Sequence, residues 1–311
     1  MSRHNPAEIL RLRNILAQYE AQEFPLPGIS INRDRDVFIK QVIDSTRRVS
    51  FVSVVAARPL HPDRANPHSA LFDPIRAALI YGASGNFDEA CWLVFLFVHF
   101  GRHRHAGWRF VREVYGKLGQ TPYWTWARTS ANPQLFRDWL RQNQQVLLRG
   151  SQRGFGNHRK YTSMDADKPA GTGLAVQSYV GWVMNYGGHR QLIQHALGQN
   201  QADPRRAFGW LYHSMTVVAS FGRTAKFDYL TMLGKMGLAQ VEPGLAYLAG
   251  ATGPVAGARA MLQGNTDRFS IQTMENRLVV LAQYLGVGMQ VIEDSLCNWQ
   301  KSPSRYKLFS G

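Results

Sequence analysis

Cysteine is scarce in this chain: Cys91 and Cys297 are the only two among 311 residues. Two thiols close at most one disulfide and cannot supply an all-cysteine zinc or iron–sulfur set. Free thiols in a reducing compartment are therefore expected. Long apolar runs are missing too. The most apolar stretch, "ACWLVFLFV" (90–98), is nine residues long, against the roughly twenty that a spanning helix needs. The first residues, "MSRHNPAEILRLRNILAQYEAQ", carry charge throughout and no continuous apolar core, unlike a secretory leader. The expectation is a soluble, cytoplasmic protein with no membrane partner. Acidic residues are also in deficit, 21 against 36 Lys and Arg, for a formal charge of +15. Such an excess favours an anionic polymer as partner, nucleic acid before anionic membrane.

What the chain does hold is core material. Hydrophobic residues make up 45%, with 16 Phe, 12 Tyr and 8 Trp, which excludes a disordered chain. Helix signals dominate. Asp73–Pro74, Asn132–Pro133 and Asp203–Pro204 each read as an N-cap followed by proline at the first helical position. Asn86 and Glu89 have capping-box spacing before "ACWLVFLFVHF". "RVSFVSVVAAR" (48–58) reads as either strand or helix. "AFGWLYHSMTVVASFGRTAKFDYLTMLGKMGL" (207–238) reads as helix, bent or broken at Gly222. The least regular part is 147–173, rich in glycine and mixed charge. It divides a helical part over 1–146 from another over 174–311, the two packed as one unit, or it is a functional loop inside a single domain. A mainly α fold follows.

"YLAGATGPVAGARAML" (247–262) has three glycines and a proline between apolar flanks. A phosphate-binding loop is a poor reading. No Gly-Lys-Ser or Gly-Lys-Thr ends the stretch, and the dinucleotide spacing of glycines is absent. A tight turn between two helices fits better. Gly250 and Gly253 tolerate backbone angles costly elsewhere, Pro254 suits a first helical turn, and small residues let the second helix approach closely. The pattern resembles a helix–hairpin–helix, whose turn amides, here Gly250, Thr252, Gly253 and Val255, face a DNA backbone phosphate. Arg259 adds a cation. A hairpin simply buried in a core is the alternative.

Three further stretches carry chemistry. In "RTAKFDYLTM", Phe221, Ala225, Asp228 and Met232 share a helical face, so Asp228 projects from mostly apolar surroundings, with Arg223 and Lys226 on nearby turns. "NHRKY" (Asn157, His158, Arg159, Lys160, Tyr161) is dense in donors suited to phosphate, with an aromatic ring for stacking. "HFGRHRHAGWR" offers Arg102, His103, Arg104 and Arg109 as a phosphate-facing patch or a solvated helix end. His99 and His103 have i, i+4 spacing, but neighbouring arginines repel a metal cation. Trp124 and Trp126 are either base-stacking platforms or core.

The blocks "FDEACWLVFLFVHFGRHRHAGWR", "FGNHRKYTSM", "SYVGWV", "FGRTAKFDYLTMLGKMGLA" and "EPGLAYLAGATGPVAGARAML" together resemble the alpha-glutamyl/putrescinyl thymine pyrophosphorylase-like family, clade three. That family is grouped with proteins of DNA base hypermodification and is related to helix–hairpin–helix DNA glycosylases. The resemblance implies double-stranded DNA with modified bases as partner, base flipping for access, and no cofactor. It implies excision of a modified base, in the setting of phage defence, ahead of transfer of an amino acid or polyamine onto a pyrophosphate-activated hydroxymethylated thymine. A DNA-binding protein without catalysis is the third reading.

Excision calls for a carboxylate that stabilises positive charge at the anomeric carbon and handles the proton of water. In the related glycosylases it lies beyond the hairpin. The candidates there are Asp267, as N-cap of the helix that follows, and Glu275 within it; Asp228 is the rival upstream. Val255 stands where lyase-active relatives carry lysine, so water is the expected nucleophile.

Overall fold

Proline after a capping side chain starts α-helices at 73–74, 132–133 and 203–204. Asp73 accepts from the amides of Ile75 and Arg76, Asn132 from Leu135, and Asp203 from Arg205 and Arg206. Each cap satisfies amides that a helix start leaves unpaired. The computed structural model describes residues 4–150, 154–156, 162–263 and 268–309. Among them are fourteen α-helices and no strand. In chain order they are α1 (Pro6–Gln22), α2 (Asn32–Ala56), α3 (Pro74–Ala83), α4 (Phe87–Phe100), α5 (Arg109–Tyr115), α6 (Trp126–Ala131) and α7 (Pro133–Leu147). Then follow α8 (Thr172–Met184), α9 (His189–Gln199), α10 (Pro204–Ser214), α11 (Arg223–Lys235), α12 (Gly253–Leu262), α13 (Ile271–Leu285) and α14 (Met289–Trp299). No helix among the described residues is long and apolar enough to cross a membrane.

The ambiguous stretch 48–58 is the end of α2 and its exit. Val52 and Val55 are buried while Phe51 and Val54 face solvent, a helical period rather than the alternation of a strand. The break at Gly222 is real: α10 ends at Ser214, and extended Gly222 is the N-cap from which α11 starts. The capping box at Asn86–Glu89 does not form. Asn86 makes no capping bond, and Glu89 turns inward instead.

The chain forms two compact units. One comprises Met1–Val52 and Pro243–Gly311, the other Ser53–Glu242; the irregular stretch 147–173 lies within the second. In the first, the core is built from Leu12, Leu16 and Tyr19 of α1, Phe38 and Val42 of α2, and apolar residues of α12, α13 and α14. Helix α12 approaches its neighbours through missing side chains. A Cβ at Gly257 would fall 2.5 Å from the Leu296 carbonyl oxygen, and one at Gly28 would fall 1.9 Å from that of Ala260.

The second unit is organised around α4. Eleven of its fourteen residues are buried, so it is a core helix covered on all sides rather than a surface one. Helices α3, α5, α6, α9 and α11 pack on it. Phe95 stacks on Tyr179 at 3.9 Å between centroids and on Phe221 at 4.9 Å. Trp124 and Trp126 are buried here too, in the core and not on a binding face. Two polar threads run through this apolar mass. Glu89, 4% exposed, accepts from the Tyr115 hydroxyl at 2.6 Å and from the Trp126 amide at 2.7 Å; burial holds its carboxyl above the usual carboxylate range. Asp88 accepts from His189 Nδ1 at 2.6 Å. A carboxylate only accepts, so Nδ1 carries the proton and Nε2 is left to accept from Tyr179, whose hydroxyl lies 2.6 Å away. Tyr229 extends the chain, 2.8 Å from Tyr179.

Two predictions follow from these contacts. Gly257→Ala gains helix propensity but drives a methyl into backbone that cannot swing aside. It should destabilise the first unit by about 1–3 kcal/mol, read as a lowered denaturation midpoint. For His189, burial lowers its pKa more than Asp88 raises it. The unfolded chain then takes up the proton below about pH 6.5 and the folded one does not. Stability should fall as pH drops from 7 to 5, by up to about 1.4 kcal/mol per pH unit, and His189→Gln should flatten that slope. Stability that instead falls as pH rises from 6 to 8 would show the imidazole to be charged in the fold. The Asp88 carboxyl, lowered chiefly by its bond from His189, contributes only in a more acidic window.

Candidate functional site

The glycine turn of the first unit is half of the expected motif. Helix α12 forms where the second helix of the hairpin was expected, but Val241–Thr252 forms no helix, so no helical hairpin is present there. Pro243 and Gly244 are poor helix interior, and the amides of Ala246 and Leu248 are taken by a side chain, that of Glu275, at 2.8 and 2.6 Å. The turn itself is at the surface. Gly250, with φ 75°, and Thr252 are exposed. The Ala251 amide closes on the Leu248 carbonyl at 2.9 Å. Thr252 makes no capping bond, and the amides of Gly250, Thr252 and Gly253 reach no acceptor among the described residues. Pro254 has no amide hydrogen to pair. Val255 is buried, and Arg259 is exposed toward the far end of α12. Unpaired amides at the positive end of a helix suit an oxyanion.

Of the carboxylates expected beyond the hairpin, Glu275 is buried at 4% exposure with both oxygens on backbone amides. Asp267 lies outside the described residues. Its expected capping role is filled by another residue: Ser270 accepts from the Thr273 amide, and α13 starts at Ile271.

In the second unit, α11 is buried along Ala225, Lys226, Phe227, Tyr229 and Leu230, while Arg223, Thr224 and Asp228 keep partial exposure. Ala225 and Met232 are buried as the face pattern required, and Asp228 sits at the edge of that face rather than inside it. The Arg223 guanidinium lies over the Phe227 ring at 4.8 Å. Lys226 lies over the Tyr212 ring at 4.3 Å and donates to Thr216 Oγ1 at 3.0 Å. Burial lowers the Lys226 pKa, because the charged ammonium is the form that loses water.

Phe221, leading into α11, stacks parallel to His99 at 6.2 Å, and His99 Nε2 is 2.9 Å from Thr172 Oγ1. Thr172 Oγ1 in turn donates to the Ser163 carbonyl at 2.9 Å. Phe155 stands edge-on to His99 and stacks on Phe100 at 5.6 Å, while the Gly156 amide donates to the Phe100 carbonyl at 2.8 Å. The end of α4, residues 154–156, Ser163, the start of α8 and Phe221 just ahead of α11 therefore meet in one place. Asn157, His158, Arg159, Lys160 and Tyr161 lie outside the described residues. His99, Thr172 and Phe155 hold this meeting point together. Nothing local in the sequence marks them, since their partners are far away along the chain.

The basic stretch after α4 is a tight reverse turn. His103 and Gly107 exchange backbone bonds at 3.0 and 2.9 Å, and His103 Nδ1 accepts from the Ala106 amide at 3.0 Å. Arg102 and Arg104 are exposed, whereas Arg109 pairs with Glu113 at 2.5 Å. Because α4 stops at Phe100, His99 and His103 do not share a helical face as their spacing suggested.

No curated protein and no solved structure matches the chain. Residues 33–311 match the family described as alpha-glutamyl/putrescinyl thymine pyrophosphorylase clade 3, which takes in all of the helices above except α1 and the first residue of α2. The chain belongs to the alpha-glutamyl/putrescinyl thymine pyrophosphorylase family, clade 3, and thereby to the proteins of DNA base modification.

Proposed function

We propose that the protein is an enzyme that excises a modified base from DNA by hydrolysis of the N-glycosidic bond. The observation that carries this reading is Asp228, a carboxylate at partial exposure on a helix otherwise largely buried, with Arg223 and Lys226 on the same helix. It lies in the element that begins beside the His99–Phe155 cluster. In this mechanism the target nucleotide leaves the stack. As the bond from C1′ to the base nitrogen lengthens, positive charge grows on the sugar and negative charge on the base. The Asp228 carboxylate stabilises the sugar and accepts a proton from the attacking water. The water oxygen bonds to C1′, and the proton is returned to the departing base. Arg223 and Lys226, with His158, Arg159 and Lys160, supply positive charge for the base substituent or flanking phosphates. Hydrolysis needs no cofactor.

The second reading keeps the base and changes its substituent: an amine displaces pyrophosphate from an activated hydroxymethylated thymine. The family's name favours it. Asp228 would then take the proton of the attacking amine, and the neighbouring cations would receive the leaving pyrophosphate.

Incubating the purified protein with unmodified and hypermodified phage DNA, and following free base, abasic sites and nucleosides by mass spectrometry, separates the two. Excision predicts released base and abasic sites from modified DNA only, with Asp228→Asn slowing the reaction about 100-fold or more while DNA affinity holds. A retained but altered nucleoside establishes transfer in its place. Full activity in a folded Asp228→Asn protein removes Asp228 from the chemistry.

A further inference from the structure

The buried glutamate of α13 has a geometry that points beyond burial. Its two oxygens accept from the amides of Ala246 and Leu248, residues on either side of Tyr247. Tyr247 has φ 51°, the left-handed region that a residue with a Cβ enters at steric cost. A left-handed residue between two others turns the flanking amides to one side and forms a concave anion nest. Here the anion in the nest is a carboxylate of the protein itself, shut away from water. One bond further on, the Leu248 carbonyl accepts from Ala251 and closes the turn through Gly250, and the next residues are Thr252 and Gly253, whose amides reach no acceptor among the described residues.

The carboxylate offsets the steric cost of this backbone by accepting both amides. Without it, Tyr247 would relax to ordinary angles, and the nest amides would find other acceptors. The turn would then re-aim the start of α12, although α12 itself is pinned by Gly257 against Leu296. We infer that Glu275 is a positioning residue of the phosphate-binding turn, holding Tyr247 left-handed so that the Gly250–Gly253 amides face outward to a DNA phosphate. The inference rests on the reading of that turn as a DNA contact.

The test is duplex-DNA affinity of the full-length protein by fluorescence anisotropy across a salt series, with folding checked by circular dichroism. In Glu275→Gln the carboxamide nitrogen faces one of the amides as a second donor. Affinity should fall about tenfold, and the salt slope should shrink by about one, the signature of a lost phosphate contact. Tyr247→Gly in the same background allows the left-handed angle without a clamp and should recover most of the affinity, which a general loss of packing would not do. Glu275→Asp, with oxygens drawn back by one methylene, gives the same reading if the glutamine variant does not fold. A folded Glu275 variant that binds with unchanged affinity and slope overturns the positioning role alone, as does a Tyr247→Gly partner that restores nothing. A wild-type protein that does not bind duplex DNA overturns the DNA reading itself and this role with it.

Discussion

Covering α4 on every side is the constraint on which the second unit depends. A helix running from Phe87 to Phe100 with eleven buried residues offers no face to water, so neighbouring helices must supply both its packing and the partners of its polar groups. The carboxylates that open it show the consequence. Glu89 reaches α5 and the start of α6, and Asp88 reaches His189 at the start of α9. Each carboxylate that would ordinarily cap its own helix instead ties another helix down. His99, at the other end, does the same through Thr172 at the start of α8. Glu89 and His99, buried this deeply, are costly unless satisfied, and satisfying them helps fix where the surrounding helices begin.

The candidate chemistry sits where that order opens. Helix α11 is buried through Ala225, Lys226 and Phe227, and the partly exposed residues beside them are charged or polar: Arg223, Thr224 and Asp228. The glycine turn of the first unit supplies a different element, a helix start with unpaired amides, suited to a backbone anion and indifferent to sequence.

Local chemistry made much of the fold legible. Capping residues followed by proline at 73–74, 132–133 and 203–204 act within three residues, and all cap as written. The break at Gly222 is equally local. What could not be read is what depends on distant partners. Glu89 looked like a capping-box residue because its spacing to Asn86 is right; the Trp126 amide that claims it lies 37 residues on. The first helix of the hairpin fails for a similar reason, since the carboxylate that draws off its amides comes from 27 and 29 residues downstream. Asp228 was legible as a carboxylate near an apolar face, but its place at the rim is set by packing that no periodicity reveals.

The first unit is assembled from the two ends of the chain, Met1–Val52 and Pro243–Gly311, with the whole of the second unit's sequence between them. Its core joins Leu12, Leu16 and Phe38 to Leu278, Ile292 and Trp299. On the ribosome, those early apolar residues must wait without their partners while Ser53–Glu242 is made. The second unit's residues are thus complete first, and α1 and the first part of α2 leave the ribosome before their C-terminal partners exist. A chaperone that recognises exposed apolar helix faces would find them there.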